Sequence, residues 1–273
     1  MAYYGRTGGL AVSPTDVVRP RGIYPGHEGE RARLHPTRKL DFELELAFFI
    51  SAPIPQGTIV TAKDAAEHIF GFVLLNDWSA RDIQKHEMAP LGVFHSKSFQ
   101  TSISPWIITL DALRGSSAGP PKSNQTKIES LLVCDDQDHG VFDLELSAKV
   151  SRGGAAAVTI CESNAKHAYW SPYQMLAYHS LSGVGVSTGD LLGTGTHSSP
   201  ISHESATPST GGCLVEVFGL GETLPDVGGQ PMGWLEDGDR LTIEAWFKTA
   251  AGGRAGFGPL TGLVCPSLVE SAI

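Results

Sequence analysis

From Asp41 to Ile50 polar and apolar side chains alternate. Asp41, Glu43 and Glu45 fall on one face of an extended strand and Phe42, Leu44 and Leu46 on the other, because successive strand side chains point to opposite sides. The alternation is lost at Phe48-Phe49-Ile50, the pattern of a strand buried on both faces. Thr61 with Asp64 three residues on has the form of a capping box and predicts a short helix through about Ile69. Phe70 to Leu75 is a continuous apolar run and reads as a buried strand ending at Asn76-Asp77. A helix is expected from Ser79 to about Met88, stopped by Pro90.

Residues 13–40 are rich in Pro, Gly and Arg and read as turns around short strands; residues 114–127 read as a surface loop. Alternation returns from Val141 to Val150, with Phe142, Leu144, Leu146 and Ala148 against Asp143, Glu145, Ser147 and Lys149. Ser171-Pro172 places an N-cap before a proline at the first helical position, opening a helix through about Ser180. Residues 189–196 look like a strand entering a Gly-rich turn. His197 to Gly212 is polar and is expected to be an exposed, mobile insertion. Asp237-Gly238-Asp239 makes a turn before a strand from Arg240 to Phe247. No repeat and no linker divides the chain, so residues 1–273 are expected to form one mainly β domain with a few helices, an α+β fold.

Composition narrows the partners. The 273 residues carry 32 Gly, 17 Pro and a net charge of −9. The acidic balance argues against nucleic acid and anionic membranes as main partners, and mean hydropathy is −0.04, as expected of a soluble globular chain. The four cysteines, at 134, 161, 213 and 265, form no CxxC pair. Neither a zinc site nor a dense disulfide framework is implied, and reduced thiols in a cytoplasmic protein are the simpler reading. No apolar run reaches the roughly 20 residues a bilayer crossing needs, and the first residues lack the apolar core of a signal peptide.

Glu43 and Glu45, two apart on a strand, project the same way and repel. A hard divalent cation, Mg²⁺ or Ca²⁺, resolves such crowding, and Asp77 offers a third carboxylate from another strand end. An acidic but solvated strand face has the same spacing, and Asp77 would serve equally as a helix N-cap. On the helix that follows, Arg81, Gln84 and Met88 share a face. Arg suits a carboxylate, Gln suits a carbonyl or enolate oxygen, and Lys97 suits developing negative charge. Each alone also fits a wet surface; their concentration around Asp77 points to a site for a small anion.

These residues lie in motifs that resemble the fumarylacetoacetase family: NDWSARDIQK at 76–85, KLDFELELAFF at 39–49, PLG at 90–92, KSF at 97–99, SPW at 104–106, GDLL at 189–192 and RAGFG at 254–258. The resemblance implies a mixed β-sandwich roll, a homodimer, Mg²⁺ or Ca²⁺, and hydrolysis of a carbon–carbon bond in a small anionic diketo acid, giving fumarate and acetoacetate. By motif, Glu43, Glu45 and Asp77 correspond to metal ligands, and the segment with Lys97 and Thr101 is associated with the cation. Arg81, Gln84 and Lys97 correspond to groups that bind substrate and stabilise negative charge. Tyr3 and Thr196 correspond to substrate contacts, and Met88 stands where the family has a substrate-binding Tyr. Glu216 corresponds to the acid that orients a general-base His.

That His and a further ligand Asp precede the Tyr-x-Gly-Arg motif at which this chain begins. The expectation divides between a piece of a longer hydrolase and a chain with rerouted or lost chemistry. His86 replaces a Trp, while His95 and His197 stand at usually apolar positions. Each of the latter two is either a substitute base or a loop histidine bonded to solvent. A related lyase, such as an oxo-acid decarboxylase or hydratase, and a non-catalytic binding protein are the competing functions.

Overall fold

The computed structural model describes residues 3–25, 29–121, 128–134, 138–200 and 208–268. Among these, two six-stranded sheets carry most of the strands and three two-stranded ribbons the rest. In the first sheet Leu44–Ile50 pairs antiparallel with Ile69–Asp77, with Leu44 opposite Asn76 and Glu45 opposite Leu75. Thr101–Ile103 lies on the far side of Ile69–Asp77, with Thr101 opposite Asp77. Leu10–Val12 runs parallel to it at one edge, and Leu191–Gly193 closes the other edge against Leu44–Ile50. In the second sheet Glu145–Ser151 sits between Val158–Asn164 and Arg240–Lys248. Leu260–Cys265 and then the parallel pair Val17–Val18 follow.

The sheets pack around one buried cluster. Leu44, Leu46, Phe48, Phe72 and Leu74 come from the first sheet, and Leu146, Ala148, Val150, Ile243, Ala245 and Phe247 from the second. Phe72 joins Phe48 and Phe142, with ring centroids 5.8 and 5.2 Å apart. The opposite face of the first sheet buries a smaller cluster of Ala47, Val73, Leu75 and Ile103, flanked by Phe49 and Leu191. This is the two-sided burial that the loss of alternation at Phe48-Phe49-Ile50 predicts. The result is a mainly β, mixed-sheet sandwich roll with a few helices.

Several local expectations hold. Ser171 caps Pro172–Ser180 with both arms of a capping box: its Oγ accepts from Gln174 N, and Gln174 Oε1 accepts from Ser171 N. Arg240–Lys248 follows the Asp237–Asp239 turn. The helix expected from Ser79 runs Arg81–Leu91, because Ser79–Ala80 pairs as a strand with Leu40–Asp41, and it leaves helical geometry at Ala89 just before Pro90.

Others are corrected. The Asp41–Ile50 strand is broken, with Leu40–Asp41 pairing elsewhere and the longer strand starting at Leu44. Glu43 therefore lies in the break, where its N–H donates to Asn76 Oδ1 at 3.0 Å. The helix after Thr61 is a 3-10 turn, Asp64–His68, and Ser117–Gly119 forms a strand inside the expected 114–127 loop. The polar 197–212 segment is not simply exposed: His197 is 6% exposed, and Ser209, Gly211 and Gly212 are buried. Residues 122–127 and 201–207 of these two loops lie outside the described residues. Among the described residues, no helix is long and apolar enough to cross a membrane.

Candidate active site

The second face of the first sheet turns from apolar to acidic at one end. Along Leu44–Ile50, Glu45 shares a face with Ala47 and Phe49; along Ile69–Asp77, Asp77 shares one with Val73 and Leu75. Because the strands are paired in this register, Glu45 and Asp77 meet at the end of the small apolar cluster. Glu43 completes the group. One carboxylate oxygen from each of Glu43, Glu45 and Asp77 lies within 4.8 Å of the other two.

Two cations face this cluster. Lys97, 5% exposed, places Nζ 2.8 Å from Glu43 Oε2 and 2.9 Å from Asp77 Oδ2. Arg81 places Nη1 2.9 Å from Glu43 Oε1 and 3.0 Å from Gln84 Oε1, so one Arg81 nitrogen ties the helix face to the acids. Arg81 is anchored from behind by Asp41, fully buried, with Nε 2.7 Å from Oδ2. Asp41 also accepts from Leu214 N and Val215 N at the start of the Leu214–Gly219 helix. Tyr3 donates its phenol to Asp77 Oδ2. The N–H of Gly195 donates to Glu45 Oε2 at 3.0 Å, and a Cβ at Gly193 would approach the same oxygen to 3.1 Å. The Gly-rich turn therefore packs its bare backbone against Glu45.

The electrostatics follow from this crowding. Burial, then Glu43 and Asp77, push the Glu45 carboxyl well above the usual carboxylate range. Burial also raises Asp77, with Lys97 opposing. At Glu43 burial acts in the same sense, but Lys97 and Arg81 outweigh it and hold that carboxyl low. Burial and then Asp77 push the Tyr3 phenol above its ordinary range, so it stays a donor.

Three buried polar atoms in this short segment have no hydrogen-bond partner among the described residues: Asn76 Nδ2, Asp77 Oδ1 and Arg81 Nη2. Buried polar atoms are rarely left unpaired. Here an acceptor and two donors stand open beside three acids. Asp77 Oδ1 and an all-carboxylate donor set fit a hard divalent cation of the Mg²⁺ or Ca²⁺ kind. Lys97, as an ammonium, has no lone pair to give a metal; it neutralises the carboxylates instead.

The remaining sequence candidates are placed as follows. Thr101 is half-buried across the ladder from Asp77. Met88 is 49% exposed, one turn beyond Gln84. Thr196 is half-buried beside Gly212, where an added Cβ would come within 2.5 Å of Thr196 Cγ2. Glu216 Oε2 accepts from Ser198 Oγ at 2.5 Å and from Gly212 N at 3.1 Å. His197 places Nε2 3.0 Å from Thr194 Oγ1, and burial lowers it to about 4. His95 is exposed and donates Nε2–H to Arg21 O at 2.6 Å. Sequence reasoning did not single out Asn76 and Asp41 as supports. Their partners, Glu43 and Leu214, lie 33 and 173 residues away, and no local pattern marks such distances.

The sequence profile "Fumarylacetoacetate (FAA) hydrolase C-terminal" matches residues 1–265. The chain is 40% identical over 267 residues to the fumarylacetoacetase of Arabidopsis thaliana, covering 98% of this chain and 61% of that protein. It is 39% identical over 273 residues to the fumarylacetoacetase of Homo sapiens, covering 99% and 63%. It thus spans about three fifths of the length of these curated relatives. In fold it is similar to a fumarylacetoacetate hydrolase family protein from yeast, with TM-score 0.58, 15% identity and coverage of 99% and 87%. It is also similar to a maleylpyruvate hydrolase from Sphingobium sp. SYK-6 in complex with manganese(II) and pyruvate, with TM-score 0.53, 18% identity and coverage of 97% and 64%. With nearly its whole length matched by the profile, the chain belongs to the fumarylacetoacetate hydrolase family, in its C-terminal part.

Proposed function

We propose that this chain carries the catalytic site of a divalent-cation-dependent hydrolase. Its reaction takes fumarylacetoacetate and water to fumarate and acetoacetate, the last step of tyrosine and phenylalanine breakdown. The observation that carries the reading is the Glu43–Glu45–Asp77 cluster flanked by Lys97 and Arg81, with Asp77 Oδ1 and Arg81 Nη2 left open. The names of the curated relatives support the substrate. The manganese(II) and pyruvate held by the maleylpyruvate hydrolase support a cation beside a small oxo acid. The reading extends to a homodimer in the cytoplasm.

In this reading Glu43, Glu45 and Asp77 hold Mg²⁺ or Ca²⁺, which when bound supplies Lewis-acid stabilisation of an oxygen that gains negative charge. Arg81, fixed by Asp41, turns its open Nη2 to a substrate carboxylate. Gln84, tied to Arg81, presents a polar amide to a carbonyl oxygen. Lys97 offers a fixed positive charge to the carbanion or enolate that leaves as the carbon–carbon bond breaks. Tyr3 keeps its proton and steadies Asp77. Fumarylacetoacetate consumption by the purified chain, with and without Mg²⁺ or Ca²⁺, tests the proposal. Cation-dependent turnover lost in Asp77→Ala is expected; turnover that survives both chelation and that substitution overturns it.

A second reading rests on Glu216. Its bonds to Ser198 and Gly212, with His197 bonded to Thr194 instead, favour a lyase in which the same groups stabilise an enolate without attack by water. Carbon dioxide release from oxaloacetate, with no consumption of fumarylacetoacetate, would select it.

A further inference from the structure

We infer that Glu87 is a positioning residue that fixes Lys97 against the acidic cluster by clamping the turn that carries it. Glu87 lies on the Arg81–Leu91 helix, two turns beyond the start that bears Arg81. Its Oε1 accepts from Phe94 N and Ser96 N, each at 2.9 Å, and from Ser96 Oγ; its Oε2 accepts from His95 N at 3.1 Å. One carboxylate thus receives the three N–H groups that open the turn. The turn closes with Lys97 N and Ser98 N donating to Phe94 O at 3.2 and 2.9 Å. Glu87 does from a distance what an N-cap does locally.

The connection between helix and turn leaves regular helical structure. The backbone leaves helical geometry at Ala89, φ −106° and ψ 131°, and passes through Gly92 at φ +114°. Glu87 bypasses these residues and joins the helix directly to the residue before Lys97. The far end of the link is fastened too, with Ala80 N donating to Ser96 O at 3.0 Å. A closed circuit results. Arg81 and Lys97 hold the two oxygens of Glu43, and Glu87 sets the spacing of the elements that carry those two cations. Its own carboxyl is held below the usual range: burial opposes this, and the hydrogen bonds from Ser96, Phe94 and His95 prevail. Such charge-assisted bonds are the stronger kind.

The effect on catalysis rests on the proposed hydrolysis; the effect on the turn does not. The test compares the purified wild-type chain with Glu87→Ala and Glu87→Gln. It measures kcat and KM for fumarylacetoacetate at saturating Mg²⁺, amide hydrogen exchange of residues 92–99, acylation of Lys97 by an amine-reactive reagent, and thermal melting. A misplaced catalytic group loses on the order of 10- to 100-fold in rate. A kcat loss of that size is expected for Glu87→Ala, with KM less affected, together with faster exchange at 94–96, faster labelling of Lys97 and a cooperative melt. Glu87→Gln, which keeps one acceptor oxygen, is expected to lie between. Unchanged exchange and labelling in Glu87→Ala overturn the clamp, and faster exchange with unchanged kcat overturns its positioning role. If the wild type itself shows no turnover, the hydrolase reading falls, and exchange and labelling still decide the clamp.

Discussion

Lys97 Nζ stands 2.9 Å from Asp77 Oδ2 while Oδ1 of the same carboxylate has no partner among the described residues. One oxygen is neutralised from within the chain and the other is not. Removing one partner of a buried ion pair destabilises by about 3–5 kcal/mol. Lys97→Met is expected to fall in that range in urea unfolding without divalent cation. Added Mg²⁺ or Ca²⁺ should return part of the loss, since a ligand that binds only the folded state stabilises it. Equal stability of wild type and variant would contradict the pairing.

Glu45 shows the opposite trade. It is buried beside two other acids that disfavour its charge, and its oxygen is touched only by the Gly195 N–H among the donors described above. Glu45→Gln removes a like charge. Without cation this variant should gain about 1 kcal/mol, or about 2–4 °C in Tm for a chain of this size. Its Mg²⁺ or Ca²⁺ binding in titration calorimetry should be weakened at least tenfold. A lower Tm with unchanged cation affinity would remove Glu45 from the ligand set.

Asp41 holds Arg81 and the first N–H groups of the Leu214–Gly219 helix with one fully buried carboxylate. Asp41→Ala strands all three and is expected to destabilise by about 3–5 kcal/mol. Asp41→Asn retains an acceptor oxygen and should lose less. Denaturant unfolding of the two variants gives the ranking; the reverse order would contradict Asp41's role as the acceptor that holds these groups.

His197 gives the chain an acid-sensitive window. Its folded-state value, lowered to about 4 by burial, lies below the ordinary value near 6.5. Between these the unfolded chain binds the proton and the folded chain does not, so stability falls as pH drops from about 6.5 to about 4 and is fully present above. The full loss is about 3 kcal/mol from this group. His197→Leu should flatten Tm against pH over that interval; an unchanged slope would assign the acid sensitivity to other groups.

Much of the site was legible because it obeys short periods. The apolar run into Asn76-Asp77 placed one acid at a strand end and the alternation placed Glu45 on the same face, while Glu43 joins them from the break before Leu44, held by Asn76 and not by strand alternation. The i, i+3 spacing of Arg81 and Gln84 set them together on the helix. What period could not show is what pairs with what. Asp41 looked like one more acid of the strand, yet the strand breaks after it, and it turns to Arg81 and to amides 173 residues away. His197 sits in a polar stretch and is buried all the same, because its N–H donates to Leu44 O and Gly212 packs bare backbone against it. Local composition does not report such long-range covering.

The pairing of Leu44–Ile50 with Ile69–Asp77 also bears on how the chain finds its fold. A slip of one residue turns a strand over. It would drive Glu45 into the main core against Phe72 and Leu74 of the neighbouring strand and turn an apolar side chain of its own strand toward Lys97. Burying a carboxylate without partners costs several kcal/mol, so Glu45 and Asp77 each penalise the wrong alignment of the strand that bears them. The charges gathered at this sheet end thereby act as proofreaders of its assembly.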